Sequence, residues 1–184
     1  LAGRDPEWMR VGAELSEAAG ADIIDINMGC PAKKVTGGQS GCALMREPEL
    51  ARRLIAATVA GTQRPVTVKM RLGWDDASLN APEIARIAEG EGARMVTVHG
   101  RTRMQFYTGT ANWARIAPVV EAIKLPVIAN GDIESGESAR EAMKQSGAAG
   151  VMIGRGAEGR PWRLAEISHG VFGTPYREPT REEK

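Results

Sequence analysis

Aromatic side chains are scarce in this sequence, at 4% of 184 residues, so any core has to be built from aliphatic Val, Ile, Leu and Ala. Cysteine and histidine are scarcer still, with two of each. Cys30 and Cys42 have neither His99 nor His169 close to them in sequence, which argues against zinc, and no metal is expected. Two cysteines without a leader sequence read as reduced thiols of a cytoplasmic protein rather than a disulfide framework. No apolar run approaches the ~20 residues of a membrane-spanning helix, and nothing resembles a targeting segment. A charge excess is missing too: 24 Lys and Arg face 23 Asp and Glu, so net charge alone does not imply nucleic acid. What remains is a chain of one-domain size, rich in the glycine that tight turns and close backbone approach to phosphate require.

The patterning alternates helix and strand. Asp5 and Pro6 suit an N-cap and first helical residue, with Trp8, Val11 and Leu15 on one face and Gly20 at the end. A strand is predicted over 23–27, and its near-continuous apolar run predicts burial on both faces. The glycine-rich polar stretch 33–42 reads as a loop longer than an ordinary βα connection, a length that hints at function. Helices are then predicted from Pro48 to Gly61, from Pro82, from Trp113 with a restart at Pro118, over 135–146 and from Pro161. Strands are predicted between them at 65–70, 95–99, 126–129 and 150–153. This repeat predicts an α/β chain with a parallel sheet. Every strand closes on polar or glycine residues: Asn27, Lys69, His99, Asn130 and, after Gly154, Arg155. One loaded edge of a parallel sheet is an active-site edge.

Cys30 stands at the mouth of the first strand, stopped there by Gly29 and Pro31. A free thiol is often core filler, but Asn27, three residues before it, makes a site the better reading. The last two strand ends suit a phosphate. Gly131 and Gly154 let backbone amides approach an anion, a helix capped near Ser135 offers its N-terminus, and Arg155 offers a fork of donors. Lys69 reads either as a solvated strand-end charge or as a cation facing a bound ring, and His99 either as a ligand donor or as a satisfied structural imidazole.

Five stretches in order, Asp25-Ile-Asn-Met-Gly-Cys-Pro31, Val68-Lys-Met-Arg-Leu-Gly73, His99-Gly-Arg-Thr102, Asn130-Gly-Asp132 and Gly154-Arg-Gly156, resemble the tRNA-dihydrouridine synthases. Ala32-Lys-Lys-Val-Thr-Gly-Gly38 and Gly159-Arg-Pro-Trp162 are similar to the B-type bacterial branch. The resemblance implies a TIM (β/α)₈ barrel that binds FMN, takes electrons from NADPH and reduces uridine in tRNA. It implies Cys30 as the catalytic acid, and Lys69, His99, Asn130, Gly131, Asp132, Gly154 and Arg155 as FMN contacts. Asn27 and Arg71 fall on the substrate side. Arg101, Arg103 and Tyr107 read either as RNA contacts or as solvated loop residues. In the implied reaction, reduced flavin delivers hydride to carbon 6 of the uracil ring and Cys30 protonates carbon 5 from the opposite face. An ordinary thiol, near ~8.5, keeps its proton at neutral pH, as a general acid must. The base has to leave its stack to reach the flavin, and Lys33 and Lys34 suit the RNA backbone.

Such a barrel has eight strands, and the pattern supplies five, matching the fourth to eighth βα units. The expectation is an incomplete barrel over residues 1–173, an open sheet with the 23–27 and 151–154 strands at its edges, and a tail over 174–184 leading towards a helical RNA-binding domain. An isolated chain of this kind is expected to bind FMN weakly or not at all and to be inactive. Cys42 stands where serine or alanine is expected. Two other readings stay open: an FMN barrel acting on a free pyrimidine, as dihydroorotate dehydrogenases do, and a non-catalytic phosphate- or RNA-binding barrel piece.

Overall fold

The computed structural model describes residues 1–183. Asp5 accepts a hydrogen bond from the Trp8 amide at 3.1 Å and, with Pro6 behind it, starts α1 (Pro6–Ala18). The buried face of α1 carries Met9 and Ala13, whereas Trp8 and Leu15, expected on the inner face, are 73% and 65% exposed. The reason lies in the packing against α3 (Pro48–Ala60). Gly61, at the end of α3, runs so close to the Arg10 backbone that no side chain fits between them. Small residues set this crossing, and the larger apolar ones are turned outward.

The remaining elements follow in chain order. They are β1 (Ile24–Met28), α2 (Lys33–Gly37), β2 (Val66–Arg71), α4 (Ala81–Gly90), β3 (Met95–His99), α5 (Ala117–Ala122), β4 (Val127–Asn130), α6 (Gly136–Ser146), β5 (Gly150–Met152) and α7 (Arg163–Phe172). The stretch 33–42, expected as an irregular loop, instead forms α2 and enters a 3₁₀ turn, Gly41–Arg46, whose Cys42, Leu44 and Met45 are buried. Local backbone bonds, such as Val35 and Thr36 amides to the Ala32 carbonyl, wind this polar segment without an apolar period to announce it.

The five strands form one sheet in the order β1-β2-β3-β4-β5, every neighbouring pair parallel. A doubly wound sheet reverses strand order at a switch point, whereas a (β/α) barrel keeps spatial order equal to chain order. This sheet keeps it and stays open, because β1 pairs with β2 and β5 with β4, and not with each other. The outer edge of β1 is partly covered by Leu1. Its backbone nitrogen donates to the Asp25 carbonyl at 2.6 Å, and its carbonyl accepts from the Asn27 amide at 2.8 Å.

The sheet has two unlike faces. Ile24, Ile26, Met28, Val66, Val68, Met70, Val96, Val98, Val127 and Ala129 are 2% exposed or less and join the cluster packed with the helices. Each fully buried Val, Leu, Ile or Met contributes about 1.5–3 kcal/mol, so this face holds the layers together. The opposite face is polar across β1 to β3 and gains Ile128 and Met152 towards β5. The register aligns Asn27 with Lys69 and Thr97, and Arg71 with His99 and Asn130. β1 is therefore buried on one face only, since Asp25 and Asn27 alternate with its isoleucines. The tail beyond α7 folds back on it: Thr174 accepts from His169 Nδ1 at 2.7 Å through its carbonyl and donates its hydroxyl to Ser168 at 2.9 Å. Lys184, the end of the tail expected to act as a linker, lies outside the described residues. No described helix is long and apolar enough to cross a membrane.

Candidate active site

Cys30 follows β1 directly, in a turn shaped by its neighbour. Asn27 Oδ1 accepts the amides of both Gly29 and Cys30 at 3.0 Å. A bifurcated side-chain acceptor of this kind bends the chain sharply. The Cys30 carbonyl accepts from the Cys42 amide at 3.0 Å, which ties the turn to the 3₁₀ segment behind it. Gly41 there has φ +60°, and a Cβ on it would lie 2.9 Å from the Cys30 carbonyl oxygen. Cys30 is partly accessible; Cys42 is fully buried, and burial pushes its thiol up to about 11. The two cysteines thus occupy different environments, one at the sheet edge and one in the core.

Beside this turn lies a cleft of about 230 Å³, lined by Lys69, His99, Tyr107, Asn130, Gly131, Asp132, Ile133, Glu134, Met152, Gly154, Arg155 and Gly156. That volume is below the ~300–1,000 Å³ of a complete small-molecule pocket. The structure therefore brings all seven expected cofactor contacts to one cleft. Asn130 donates its amide to the Met152 carbonyl at 2.8 Å, which fixes β4 against β5 at the cleft floor. Gly131 has φ +109°, and a Cβ there would fall 2.8–2.9 Å from the His99 ring, so glycine is what lets the imidazole lie against the backbone. The Lys69 ammonium makes no hydrogen bond or ion pair among the described residues, and burial, with Arg71 nearby, lowers its pKa while Asp25 opposes the shift. Next to it in register, the Thr97 hydroxyl is buried without a partner. An unpaired ammonium and an unpaired hydroxyl on one polar face suit a ligand that brings acceptors. The expected helix N-terminus plays a smaller part: Ser135 and Ser138 close a capping box on α6.

Two buried arginines hold the cleft wall. Arg71, expected on the substrate side, is 1% exposed and donates Nε to the Gly29 carbonyl at 3.0 Å and Nη1 to the Thr102 and Phe106 carbonyls at 2.9 and 2.8 Å. One guanidinium therefore pins the Cys30 turn and the segment after β3 together. Arg101, considered as an RNA contact, is 2% exposed and faces inward. It meets Asp132 through two bonds of 2.9 and 2.6 Å, donates to the Thr108 and Gly109 carbonyls, and lies 3.2 Å from His99 Nε2. These partners occupy all five guanidinium donors. Because arginine has nothing to accept with, His99 Nε2 must be the acceptor, and the ring proton sits on Nδ1. Burial and the charges of Arg71, Lys69 and Arg101 push the imidazole down to about 3, so the ring is neutral at physiological pH. Burial works against the Asp132 carboxylate, but the Arg101 hydrogen bond, the Ala111 amide and the Arg101 and Arg155 charges outweigh it and hold its pKa low.

The rim is cationic and aromatic. Arg155 stacks 4.8 Å from the Tyr107 ring centroid and lies 3.6 Å from Asp132. Arg103 stacks on Trp74 at 4.8 Å and donates to Thr36 of α2 at 3.3 Å. Lys33 and Lys34 are exposed on α2. Trp74, Phe106 and the Asp132–Arg101–His99 linkage escaped the sequence reading. The last had a signal, Asp132 and His99 flanking glycines at adjacent strand ends, but no spacing rule joins them.

Comparison with known proteins adds the lineage. The family profile described as Dihydrouridine synthase (Dus) matches residues 1–183. A probable tRNA-dihydrouridine synthase of Rhodobacter capsulatus is 61% identical over 173 residues, covering 94% of this chain and 53% of the relative. One from Rhizobium leguminosarum bv. phaseoli is 56% identical over 183 residues, covering 100% and 56%. The tRNA-dihydrouridine synthase B of Xanthomonas axonopodis pv. citri is 48% identical over 169 residues, covering 92% and 51%. The chain thus spans about half the length of the curated relatives it matches. Among solved structures, Eimeria tenella DHODH in complex with ferulenol aligns with a TM-score of 0.68 at 16% identity, over 93% of this chain and 55% of that one. Agrobacterium tumefaciens dihydrodipicolinate synthase aligns at 0.64 and 20%, over 90% and 54%. These two likenesses concern the fold: five consecutive βα units of a TIM-type barrel.

Proposed function

The chain belongs to the dihydrouridine synthase family, and on that premise we propose that it is the catalytic part of a cytoplasmic enzyme that reduces uridine to 5,6-dihydrouridine in tRNA. In this reading FMN is the cofactor, NADPH the reductant, and residues 174–184 lead towards an RNA-binding region. The observation that carries it is Cys30, fixed by Asn27 at the same sheet edge as a cleft whose unpaired polar groups call for a ligand rich in acceptors. The donors fit FMN. Arg155 and the Gly154 backbone suit its phosphate, and Lys69 and the Nδ1–H of His99 suit the carbonyl and nitrogen acceptors of its ring, with Asn130, Gly131 and Asp132 forming the floor. An FMN held by these residues and reduced by NADPH would supply the hydride for carbon 6 of the uracil ring. Cys30 holds a proton on Sγ and gives it to carbon 5. Asn27 orients the thiol through the backbone, Arg71 locks that turn from below, and Arg103, Tyr107, Lys33 and Lys34 face the RNA.

The reading is tested by offering NADPH with either an unmodified tRNA transcript or free orotate to a protein of the relatives' length that carries this chain. Dihydrouridine should form in the tRNA, and orotate should be left unchanged. Turnover of the free pyrimidine with none of the tRNA would overturn the assignment. Arg155→Ala in the same protein should weaken FMN retention without loss of folding. The Arg155 side chain is 58% exposed, so solvent screening brings its charge-assisted contact below the usual range to about 1 kcal/mol, or roughly fivefold in affinity. Unchanged flavin occupancy after gel filtration would place Arg155 away from the phosphate.

A further inference from the structure

The segment after β3 places an aromatic residue where the backbone resists one. Phe106 has φ +53°, a left-handed conformation rare for a bulky side chain. Two buried arginines hold the segment from beneath: Arg71 binds the Phe106 carbonyl at 2.8 Å, and Arg101 binds the Thr108 and Gly109 carbonyls at 3.2 and 2.7 Å. From the side, the Arg103 and Met104 amides bond the Gly73 and Trp74 carbonyls at 3.0 and 2.9 Å. A segment anchored this firmly would be expected to turn its apolar side chains inward. It turns them out instead. Phe106 is 44% exposed and Tyr107 47%, and their rings meet edge to face at 4.7 Å. Strain retained at an exposed aromatic beside a cleft points to use rather than packing.

The surroundings decide what such a ring would meet. Arg155 lies over Tyr107, Arg103 reaches across to α2, and Lys33 and Lys34 stand exposed on that helix without an ion pair among the described residues. Asp132, the nearby carboxylate in this network, is committed to Arg101 and Arg155. Glu134, exposed at the cleft, is outnumbered by Arg155, Arg103, Lys33 and Lys34, and exposed rings in so cationic a setting match a single-stranded nucleic-acid platform, in which bases stack on aromatics while the backbone meets the charges. Arg71 also holds the Cys30 turn, so Phe106 keeps a fixed relation to the thiol.

We propose that Phe106 is a stacking platform for RNA, its ring covering the face of a base next to the one that enters the cleft. The inference rests on the tRNA reading above and adds to it the residue that supports the strand once the target base has left its stack. The test separates support of the fold from support of RNA. Phe106→Gly suits the left-handed backbone, so the thermal midpoint should stay level or rise. Affinity for an unmodified tRNA transcript, read by fluorescence anisotropy at fixed salt, should fall about tenfold, as expected for one lost base–aromatic stack. Phe106→Trp should restore it. If Phe106→Gly binds the transcript as tightly as wild type, the stacking role is overturned and the tRNA reading stands. If affinity falls only together with the thermal midpoint, Phe106 is structural and the proposal fails. Wild-type protein that does not bind the transcript would overturn the tRNA reading and the platform together.

Discussion

Cys30→Ala, in a protein of the relatives' length, is expected to lose tRNA reduction by about 10²–10⁴-fold, the range a positioned general acid contributes, and to keep its flavin. The thiol's setting is the reason. Its amide and that of Gly29 are fixed by Asn27, its carbonyl by Cys42, and the turn as a whole by Arg71, so the side chain has a defined place at the sheet edge. None of these bonds uses Sγ, so removing it leaves the backbone scaffold and the cleft intact. Cys42 is the internal control. It is fully buried, so Cys42→Ala should cost only packing, roughly 1 kcal/mol, and leave turnover near wild type. Dihydrouridine formed per enzyme, measured beside flavin absorbance, checks both variants. Wild-type turnover by Cys30→Ala would remove the thiol from the proton transfer.

The parallel sheet and its loaded edge were legible because the relevant signals are local. Val, Ile and Met runs ending in Asn27, Lys69, His99 and Asn130 mark strand ends wherever the chain goes next. Exposure was harder to read. Trp8 and Leu15 have helical spacing and look like a buried face, but the glycine contact at Gly61 rotates α1 so that Met9 and Ala13 go in. The same limit explains the arginines. Arg71 and Arg101 follow strand ends and read in sequence as a substrate-side residue and as an RNA contact or solvated loop residue, yet each is buried because backbone carbonyls of the segment after β3 converge on it. A guanidinium with its donors occupied stabilises a loop as well as it binds a ligand. Periodicity carries no information on which of the two it does. The winding of α2 was missed for a related reason, since its hydrogen bonds are local and its surface is polar, leaving no pattern to detect.

Stability is expected to fall as the pH drops below about 6.5, with His99 as the source. An unfolded chain protonates its imidazole near ~6.5. In the fold, burial and the neighbouring cations hold His99 down to about 3, and Arg101 already occupies Nε2 as donor. Between these two values the unfolded state binds a proton that the folded state refuses. The contribution is therefore fully present above about 6.5 and is lost progressively as the pH falls towards 3. One proton corresponds to about 1.4 kcal/mol per pH unit, or roughly 2 kcal/mol between about pH 6.5 and 5. Asp25, whose carboxyl is pushed up by burial, works in the opposite direction in acid, and Asp132, held low, loses its contribution only at more acid pH. Both remain in a His99→Gln variant, whose amide oxygen can still accept from Arg101. Urea unfolding of the two proteins across this range gives the difference directly. The wild-type curve should be steeper by about one proton between pH 5 and 6.5, and the two should run parallel above pH 7. Parallel curves throughout would mean that His99 takes up its proton in the fold as easily as in water. Arg101 would then not be holding Nε2, and His99 would not be a fixed donor at the cleft.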